Sequence, residues 1–328
     1  MKLTTAQIFS CARGVVYTSE EDGYLRLHRF TPVQEEFHKG LNEENYDRTF
    51  ATAGVILEFD TDSRTLGLSV LCRKGSSRHW FVHSILVNGR RIGELRGKYT
   101  PPEYVTAEDS WSLGEGEKRV RIVFPWSAGS EVKALTLDDG AAFVPVKKEK
   151  RVLIYGDSIT HGYDSAQPEN AYSYVMSEYL DANCVNKAIG GAVFRPALGA
   201  LADDFQPDLI TMAYGTNDWA GVNNEKLEAH ALGFLQALRK NYPNTKLVML
   251  APVWRNKWDR ERPLVTFPEI PEIFRRIAAQ VGNVEVIDCF KFIPPDESCF
   301  SPDILHPNDK GFGYYGEGVV KALKELGI

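Results

Sequence analysis

The stretch RVLIYGDSIT, residues 151–160, decides the fold of the second half of the chain. Its first part, from Val152 to Tyr155, is an uninterrupted apolar run of the length expected for a buried β-strand. The part that follows, from Gly156 to Thr160, is small and polar, as in a turn that leaves the end of a strand. The segments that come next determine the kind of sheet this strand joins.

The chain after residue 160 alternates between helical and strand patterns. Helices are predicted over 172–180, 225–239, 270–281 and 314–326, and strands over 184–189, 209–214, 246–250 and 284–287. This alternation over five units predicts an α/β fold: a doubly wound, flavodoxin-like parallel sheet of five strands with helices on both faces. In such a sheet, ligands bind beyond the carboxyl ends of the strands, near the point where the strand order reverses.

The first 145 residues have a different pattern. Strands are predicted at 24–30, 55–59, 65–71, 80–87, 120–124 and 132–137. Turn-forming pairs such as Asn88-Gly89 separate several of them, and no long segment with helical spacing is evident. This half is therefore predicted to form an antiparallel β-sandwich, jelly-roll-like. The charged stretch from Pro145 to Lys150 is suited to a linker, so the predicted domains are an accessory sandwich at 1–145 and a second domain at 151–328.

The composition argues against several classes of protein. With 38 Lys and Arg against 44 Asp and Glu, the chain has a net charge of −6, whereas a nucleic-acid partner calls for a basic stripe. No stretch approaches the roughly 20 apolar residues that span a bilayer. The five cysteines form no CxxC pair and the first residues have no signal-peptide pattern, so reduced cysteines in a cytoplasmic protein are predicted. Neither a nucleic acid nor a membrane is predicted as a partner.

Polar and glycine-rich motifs follow four of the predicted strands. They are GDSIT at 156–160, NKAIGG at 186–191, YGTND at 214–218 and SPDILHP at 301–307. Because the carboxyl ends of parallel strands meet at one edge of the sheet, these motifs are expected to converge on a single rim.

The residue types in these motifs are those that acyl transfer through a serine requires. A serine hydroxyl is a weak nucleophile and needs a neutral imidazole to take its proton. The imidazole needs a carboxylate on its other nitrogen, which fixes the tautomer and stabilises the imidazolium. Ser158 follows a strand, and Asp303 and His306 lie three residues apart on one loop between two prolines, which stiffen it.

The tetrahedral intermediate of such a reaction carries an oxyanion, which needs preorganised hydrogen-bond donors. The sequence offers the backbone N–H groups of Gly190 and Gly191 and the side-chain amide of Asn217. All three lie in motifs predicted to reach the same rim as Ser158.

The four motifs resemble the signature blocks of the GDSL, or SGNH, esterase/acylhydrolase superfamily, over roughly residues 150–328. The resemblance implies a serine carboxylic-ester hydrolase in which Ser158 is the nucleophile, Asp303 the orienting acid and His306 the base. The domain at 151–328 would then be an SGNH/GDSL-type hydrolase domain.

The same resemblance implies an oxyanion hole built from the N–H of Ser158, the N–H of Gly191 and the amide of Asn217. Gly190 departs from the pattern, because many members carry a serine at that position. The departure leaves open which of the two glycine N–H groups faces the oxyanion.

Several carbohydrate esterases of this superfamily are similar in layout, with an N-terminal β-sandwich before the hydrolase domain. That layout points to a small-molecule ester, an acylated saccharide, as the substrate. Tryptophan faces commonly stack on sugar rings, although a tryptophan near the rim can equally pack in the core. The candidate substrate-binding residues are Asp157, Gly190, Trp219 and Trp254, with Asp164 and Arg255 as weaker additions.

Two further uses of the histidines carry less weight. His161 follows Ser158 by three residues, but no carboxylate stands at a comparable fixed spacing, so it is predicted to lie on the surface or to line the substrate site. Cys289, Cys299 and His306 fit no compact zinc pattern. Neither a metal nor a cofactor is therefore predicted.

The predicted activity is hydrolysis of an acetyl or short-acyl ester, and three different functions stay open. A lysophospholipase or thioesterase would need a long apolar channel, which the polar residues Thr160, His161 and Asp218 disfavour. An acyltransferase would use the same residues as an esterase. A non-catalytic carbohydrate-binding protein would be expected to have lost part of the catalytic set. For the N-terminal domain, carbohydrate binding, a wall of the active site and a homo-oligomer interface are all compatible with the sequence.

Overall fold

A computed structural model describes residues 1–221 and 224–328 and divides the chain into two compact units. The N-terminal unit comprises residues 1–149 and 166–169, and the C-terminal unit comprises residues 150–165 and 170–328. The segment 166–169 joins the first unit through Gln167, whose amide donates to Glu94 at 3.0 Å and whose carbonyl oxygen accepts from Ser84 at 3.1 Å. The predicted division at 145–151 did not anticipate this segment.

The N-terminal unit is an antiparallel β-sandwich. Its strands are β1 (Ala12–Arg13), β2 (Tyr17–Glu21), β3 (Tyr24–His28), β4 (Ile56–Thr61), β5 (Thr65–Lys74), β6 (Trp80–Val87), β7 (Arg90–Lys98), β8 (Val105–Ser112), β9 (Lys118–Val123), β10 (Ala128–Leu137) and β11 (Val144–Pro145). One sheet has the order β1-β4-β9-β6-β7, with β11 also on β4, and the other has the order β2-β3-β10-β5-β8. Strands β3 to β10 are divided between the sheets as in a jelly roll, which confirms the predicted sandwich.

The two sheets share one apolar core. Leu57 and Phe59 of β4 and Leu68 and Val70 of β5 are all buried in it. In β5 the buried and partly exposed positions alternate over most of its length, the period-two pattern of a strand with one face in a core. Burying each such side chain stabilises the fold by about 1.5–3 kcal/mol.

This unit also contains helices that the sequence did not predict. They are α1 (Thr5–Ser10), α2 (Pro32–Leu41) and α3 (Glu43–Thr49). Helix α2 begins after Thr31, whose hydroxyl accepts from the N–H of Gln34 while the Gln34 side chain accepts from the N–H of Thr31. Its buried residues are polar, namely Gln34, Glu35 and His38, and Glu35 is hydrogen-bonded to His28 at 2.7 Å. A helix that buries polar side chains gives no apolar periodicity, and the prediction failed for that reason.

The C-terminal unit is a parallel sheet covered by helices. The strands are β12 (Lys150–Gly156), β13 (Ala182–Asn186), β14 (Leu209–Ala213), β15 (Lys246–Ala251) and β16 (Val284–Asp288); the helices are α4 (Ser158–His161), α5 (Tyr172–Tyr179), α6 (Pro196–Gly199), α7 (Thr216–Ala220), α8 (Leu227–Asn241), α9 (Ile270–Val281) and α10 (Asp309–Glu325). Within the described part of the chain, this sheet has five strands in the order β13-β12-β14-β15-β16, all parallel. That order confirms the flavodoxin-like prediction.

Strand β12 is buried on both faces because helices cover both sides of the sheet. Val152 and Ile154 belong to a core that also contains Tyr172 of α5 and residues of α10. The alternate residue Tyr155 contacts Phe234 of α8, with the ring centroids 5.4 Å apart. The first strand of the fold therefore runs through the centre of the unit, and its carboxyl end lies between β13 and β14.

The cysteines are free and buried, at positions 11, 72, 184, 289 and 299. Burial raises the pKa of the Cys11 and Cys72 thiols to about 12, so both are neutral at physiological pH. Within residues 1–221 and 224–328, the helices are too short or too polar to cross a membrane.

Candidate active site

Ser158 is the first residue of α4, immediately beyond the carboxyl end of β12. Asp157 caps the helix, because its carboxylate accepts from the N–H of Ile159 at 3.0 Å. A side chain at Gly156 would meet the hydroxyl of Thr160 at 2.1 Å, so the turn requires glycine. The tight turn brings the Ser158 hydroxyl, in a side chain that is 6% exposed, to the rim of the sheet.

His306 and Asp303 lie on the loop before α10, near the end of the domain in sequence, and His306 contacts Ser158, which lies near its start. The distance from His306 Nε2 to Ser158 Oγ is 2.8 Å, and that from His306 Nδ1 to Asp303 Oδ2 is 2.6 Å. With Nδ1 protonated, the imidazole donates to Asp303 and Nε2 accepts from the Ser158 hydroxyl. The contacts expected from the sequence are therefore present between these three residues.

The Asp303 carboxylate is held in its ionised form. Burial alone would raise its pKa, but hydrogen bonds from the His306 side chain and from the N–H groups of His306 and Leu305 outweigh burial and lower it. Both backbone hydrogen bonds measure 3.0 Å and end on the oxygen that does not face the imidazole. Asp303 is therefore negatively charged at neutral pH, which is the form that stabilises an imidazolium.

Two further residues contact the imidazole of His306. The ring of Tyr163 stacks on it with a centroid distance of 5.4 Å and an interplanar angle of 29°. Asp164 Oδ2 lies 3.8 Å from His306 Nδ1, and its backbone is left-handed with φ = 68°. The sequence indicates Asp164 only weakly, as a substrate residue, and does not indicate Tyr163. Their closeness in sequence to Ser158 is the one signal that could have found them.

Asp164, Asp303 and His306 also place one potential metal-ligand atom each within 4.8 Å of one another. The Nδ1 atom that would bind a cation there is the one that hydrogen-bonds to Asp303. A metal at this point would replace the contact that orients the imidazole toward Ser158. The donor set therefore suits a hydrogen-bonded acid and base better than a metal centre.

The proposed oxyanion donors lie on both sides of Ser158. Gly191 follows β13 and Asn217 is in α7 after β14, the two strands that flank β12. The Asn217 amide donates to the carbonyl of Ala192 at 3.1 Å, which ties α7 to the loop that carries Gly191. Gly191 has φ = 76°, a conformation that favours glycine. The three motifs thus place their donors at the ends of adjacent strands.

Residues 154–313 match the model of the GDSL-like Lipase/Acylhydrolase family. The C-terminal unit is a GDSL-like lipase/acylhydrolase domain. The matched range contains all four motifs, from Ser158 to His306.

Solved structures similar to the chain extend over both units, at identities low enough that the likeness concerns the fold. A salicylyl-acyltransferase, SsfX3, from a tetracycline biosynthetic pathway is 22% identical, with a TM-score of 0.82, over 97% of this chain and 94% of that one. A putative GDSL-like lipase from Bacteroides ovatus is 18% identical, with a TM-score of 0.75, over 99% and 97%. A family two carbohydrate esterase from Cellvibrio japonicus is 17% identical, with a TM-score of 0.67, over 97% and 95%. No curated protein sequence matches the chain.

Gly190 in the GDSL-like domain is buried, which corrects its assignment as a substrate-binding residue. A side chain at this position would meet the Tyr163 hydroxyl at 2.5 Å. Because Tyr163 also stacks on His306, the ring occupies the space that a serine side chain would take. The departure from the family pattern at Gly190 thus has a local steric reason, and Gly191 is left as the more exposed of the two glycines.

Two buried carboxyl groups lie behind the rim of the GDSL-like domain. Burial raises the pKa of Asp157 to about 7 and that of Asp218 to about 6. Asp218 accepts from the N–H of Phe194 at 3.0 Å and so braces the loop after β13. The side chain of Asp157 is 3% exposed, so its proposed contact with substrate is corrected to a capping role in α4.

The two tryptophans differ in exposure. Trp219 is 1% exposed and packs edge-on against Phe267 with the ring centroids 5.0 Å apart, so it cannot offer a face to a sugar. That assignment is therefore wrong. Trp254 is partly exposed beside Phe300, at a centroid distance of 5.2 Å, and stays a candidate for substrate contact.

His161, Cys289 and Cys299 are all buried in the GDSL-like domain. His161 is 1% exposed, so the prediction of a surface or substrate-lining histidine is wrong, and His306 holds the place beside Ser158. The two cysteines belong to the apolar core of the domain. Among the described residues, the cluster of potential metal ligands that includes His306 contains neither cysteine.

Proposed function

We propose that the protein is a serine ester hydrolase that removes an acetyl or other short acyl group from an acylated carbohydrate. The observation that carries the proposal is the continuous hydrogen-bonded chain from Ser158 through His306 to Asp303, with distances of 2.8 and 2.6 Å. A serine in contact with a histidine that is itself oriented by a carboxylate is the arrangement that activates a hydroxyl for attack.

Acylation begins when Ser158 Oγ attacks the ester carbonyl carbon and His306 Nε2 takes the hydroxyl proton. The carbonyl π electrons move to oxygen, and the N–H groups of Ser158 and Gly191 and the amide of Asn217 stabilise the resulting oxyanion. The intermediate then collapses: the bond to the alcohol oxygen breaks, and the imidazolium gives its proton to that oxygen. The products are the free alcohol and an acyl group on Ser158.

Deacylation repeats the same steps with water as the nucleophile. His306 takes a proton from water as the oxygen attacks the acyl carbon, and returns a proton to Ser158 Oγ as the acid leaves. Throughout the cycle the ionised Asp303 stabilises the imidazolium, because its pKa lies well below the usual range of a carboxyl group. Asp303 thus orients the imidazole of His306 through its hydrogen bond and stabilises the imidazolium through its charge.

The saccharide part of the proposal is supported by the two-unit layout. Similar structures include an acetyl xylan esterase from Butyrivibrio proteoclasticus, with a TM-score of 0.62, and a family two carbohydrate esterase from Clostridium thermocellum in complex with cellohexaose, with a TM-score of 0.63. Thr160, His161 and Asp218 are buried, so these three polar side chains do not disfavour a lipid substrate. A short acyl group is thus proposed from the layout alone.

Acyl transfer to an alcohol other than water is the second candidate. The observation that favours it is the likeness to a salicylyl-acyltransferase over 97% of this chain, with a TM-score of 0.82. The same acyl-enzyme on Ser158 serves both outcomes, and they differ only in which acceptor attacks it.

We further propose a cytoplasmic protein, since its cysteines are free and buried.

The deciding experiment compares wild type with Ser158→Ala on 4-nitrophenyl esters of increasing length and on a panel of acetylated sugars. We expect wild type to cleave acetyl esters, with activity falling beyond about four carbons, and Ser158→Ala to lose about 10⁶-fold in turnover while keeping its melting temperature. A variant that retains a tenth of the activity would exclude the serine mechanism. A preference for about eight carbons or more would indicate a lipase or thioesterase, because an apolar channel gains about 0.8 kcal/mol per methylene.

A matched reaction with a sugar alcohol added as acceptor separates hydrolysis from transfer. For a hydrolase, free acid accumulates at the rate of alcohol release, whatever the acceptor concentration. For a transferase, a new ester replaces the acid as the acceptor is increased. Ser158→Ala serves as the control for both products.

A further inference from the structure

Two arginines share one buried tryptophan beside the active site of the C-terminal unit. The guanidinium carbon of Arg255 lies 5.6 Å from the centroid of the Trp219 ring, and that of Arg262 lies 5.1 Å from it. We refer to Trp219, Arg255 and Arg262 as the arginine–tryptophan cluster. The two positive charges held against one ring repel each other, and a negative group between or beside them would offset that repulsion.

The cluster has hydrogen-bond donors without acceptors. Arg255 Nη1 donates to the carbonyl and hydroxyl of Thr216 at 3.3 and 3.0 Å, and Arg262 donates to the carbonyl of Ala220. Within residues 1–221 and 224–328, Trp219 Nε1 and Arg262 Nε are buried and have no acceptor. Because buried polar groups are almost always hydrogen-bonded, unsatisfied donors of one kind in one place call for an explanation.

The charges around Arg255 connect the cluster to the reacting groups. Burial and the neighbouring Arg262 both lower the pKa of Arg255, whereas the charges of Asp157 and Asp303 raise it. Asp157 directly precedes Ser158, and Asp303 holds His306. The hydrogen bonds from Arg255 to Thr216, which directly precedes Asn217, place the guanidinium beside the proposed oxyanion donor. Asp157 caps α4 and Asp303 accepts from His306, so each acid already serves another group. The positive charge of Arg255 is suited to a group that is not part of the domain.

We propose that the arginine–tryptophan cluster binds a carboxylate carried by the substrate, so that the preferred ester is an acid-bearing one. The proposal rests on the ester hydrolysis proposed above and names the class of its substrate. A carboxylate matches the planar fork of a guanidinium with two parallel hydrogen bonds, and it supplies the acceptors that the buried donors lack. The carboxylate belongs either to the sugar, as in an acylated uronic acid, or to the acyl group, as in a half-ester of a dicarboxylic acid.

There is space for such a group beside Arg262. A cavity of about 340 Å³ is lined by Ala220, Gly221, Asn224, Glu225, Arg262 and Pro263. We therefore expect the carboxylate to reach the cluster through this cavity and to accept from Arg262 and from Arg255.

The test compares matched esters that differ by one carboxylate. Acetylated methyl glucuronoside against acetylated methyl glucoside probes the sugar side, and 4-nitrophenyl hydrogen glutarate against 4-nitrophenyl pentanoate probes the acyl side. In one pair we expect wild type to have a kcat/KM roughly 10- to 100-fold higher for the acid-bearing ester, as hydrogen bonds to a charged group provide. The pair that responds identifies which side carries the carboxylate. Equal values within both pairs would overturn the proposal without the use of any variant.

Variants assign the preference to the cluster. Arg255→Gln should abolish the ratio within the responding pair, and Arg255→Lys should reduce it, since an ammonium keeps the charge but lacks the planar fork. Arg260 is exposed in the same loop, so Arg260→Gln is the matched control and should leave the ratio unchanged. A ratio that survives Arg255→Gln in a folded variant would place the carboxylate elsewhere and overturn the proposal.

Binding measured without turnover separates this proposal from the proposed function. Calorimetry of the Ser158→Ala variant with methyl glucuronoside and with glutarate should detect one of the two, and adding Arg255→Gln should remove the signal. If wild type cleaves no ester but Ser158→Ala binds the carboxylate, the cluster is supported and ester hydrolysis is contradicted. If wild type cleaves all four esters alike and neither carboxylate binds, the cluster proposal alone fails.

Discussion

Aspartates lie next to the active site in two regions, the loop at 301–307 and the segments that follow β12 and β14. The two regions shift the pKa of their aspartates in opposite directions. In the loop, Asp303 accepts from two backbone N–H groups and from His306, and its pKa is lowered. In the segments after the strands, Asp157 and Asp218 are buried, and burial raises their pKa to about 7 and about 6. Three carboxyl groups close to one serine thus differ in pKa, which lies well below the usual range for Asp303 and above it for Asp157 and Asp218.

This difference in pKa separates Asp303, which can stabilise the charge of the imidazolium, from Asp157 and Asp218, which accept hydrogen bonds from the backbone. Asp303 stays ionised because several donors converge on it, so it is the carboxylate suited to stabilise an imidazolium. Asp157 and Asp218 each accept a backbone N–H, from Ile159 and Phe194, and fix the turns that carry Ser158 and Gly191. Proximity to the nucleophile alone would not have distinguished the three.

Asp303→Asn should have the largest effect among tests of this contrast. The amide removes the negative charge and favours the wrong tautomer of His306, so we expect kcat to fall by about 10⁴. The measurement is steady-state hydrolysis of 4-nitrophenyl acetate. Asp218→Asn is the matched control, because it makes the same chemical change at a carboxyl group that braces a loop, and it should lose less than about tenfold.

Asp164 provides a second test of the role assigned to Asp303. Its carboxylate lies 3.8 Å from His306 Nδ1, so it can partly replace Asp303 in stabilising the imidazolium. If Asp303→Asn retains more than about a hundredth of wild-type kcat, the double variant Asp303→Asn/Asp164→Asn should remove that remainder. A double variant as active as the single one would show that neither carboxylate acts on charge.

Asn217→Ala tests the neighbour of Asp218 in α7. Its amide is proposed to donate to the oxyanion, which is fully charged only in the tetrahedral species, so its loss should lower kcat by about 10²–10³ with KM nearly unchanged. Asn217→Asp should be at least as damaging, because an ionised carboxylate cannot donate and repels the developing charge. A raised KM with normal kcat would make Asn217 a residue for ground-state binding, and the oxyanion hole would then consist of backbone groups alone.

Asp218→Asn should have a small kinetic effect and a pH-dependent effect on stability. The pKa of Asp218 is raised from 3.8 to about 6, so the folded state binds the proton more tightly than the unfolded state. Wild type therefore loses stability as the pH rises from about 4 to about 6, whereas the amide keeps the acceptor for Phe194 and does not titrate. We expect the variant to gain up to about 3 kcal/mol relative to wild type across that window.

Denaturant unfolding at pH 4 and pH 8 measures this difference, and Asp208→Asn at an exposed position serves as the control. A stability difference between variant and wild type that is the same at both pH values would mean that the pKa of Asp218 is not raised in the folded protein. The contrast between Asp303 and the buried pair would then be lost.

The α/β half of the fold is predictable because its strands and helices bury apolar side chains. Helix α8 follows from the spacing of Leu227, Phe234 and Leu238, which are all fully buried. Helix α2 does not follow from any such spacing, because it buries Gln34 and His38, and polar side chains leave no periodic signal. Its capping pair, Thr31 and Gln34, is visible in the sequence and would have marked its start.

The residues of the candidate site also fall into those that the sequence predicts and those that it does not. Ser158, Asp303 and His306 can be named from the sequence because their motifs fall at the ends of predicted strands and loops that a parallel sheet brings together. The direction of a side chain beyond the backbone cannot be predicted, and Trp219 is therefore buried where a face open to a sugar was expected. The stacking of Tyr163 on His306 depends on the left-handed turn after α4, at Gly162 with φ = 107°, which no spacing rule anticipates.

The contact between Gly190 and Tyr163 limits the order in which this sequence can change. A serine at position 190 needs space that the Tyr163 hydroxyl occupies, 2.5 Å from the new side chain, and displacing the ring would remove the surface on which His306 rests. A smaller residue at position 163 is thus a permissive substitution that has to come first. The two positions are epistatic: Gly190→Ser alone should impair the enzyme, whereas the same change after Tyr163→Ala should be tolerated better than the sum of the single effects predicts.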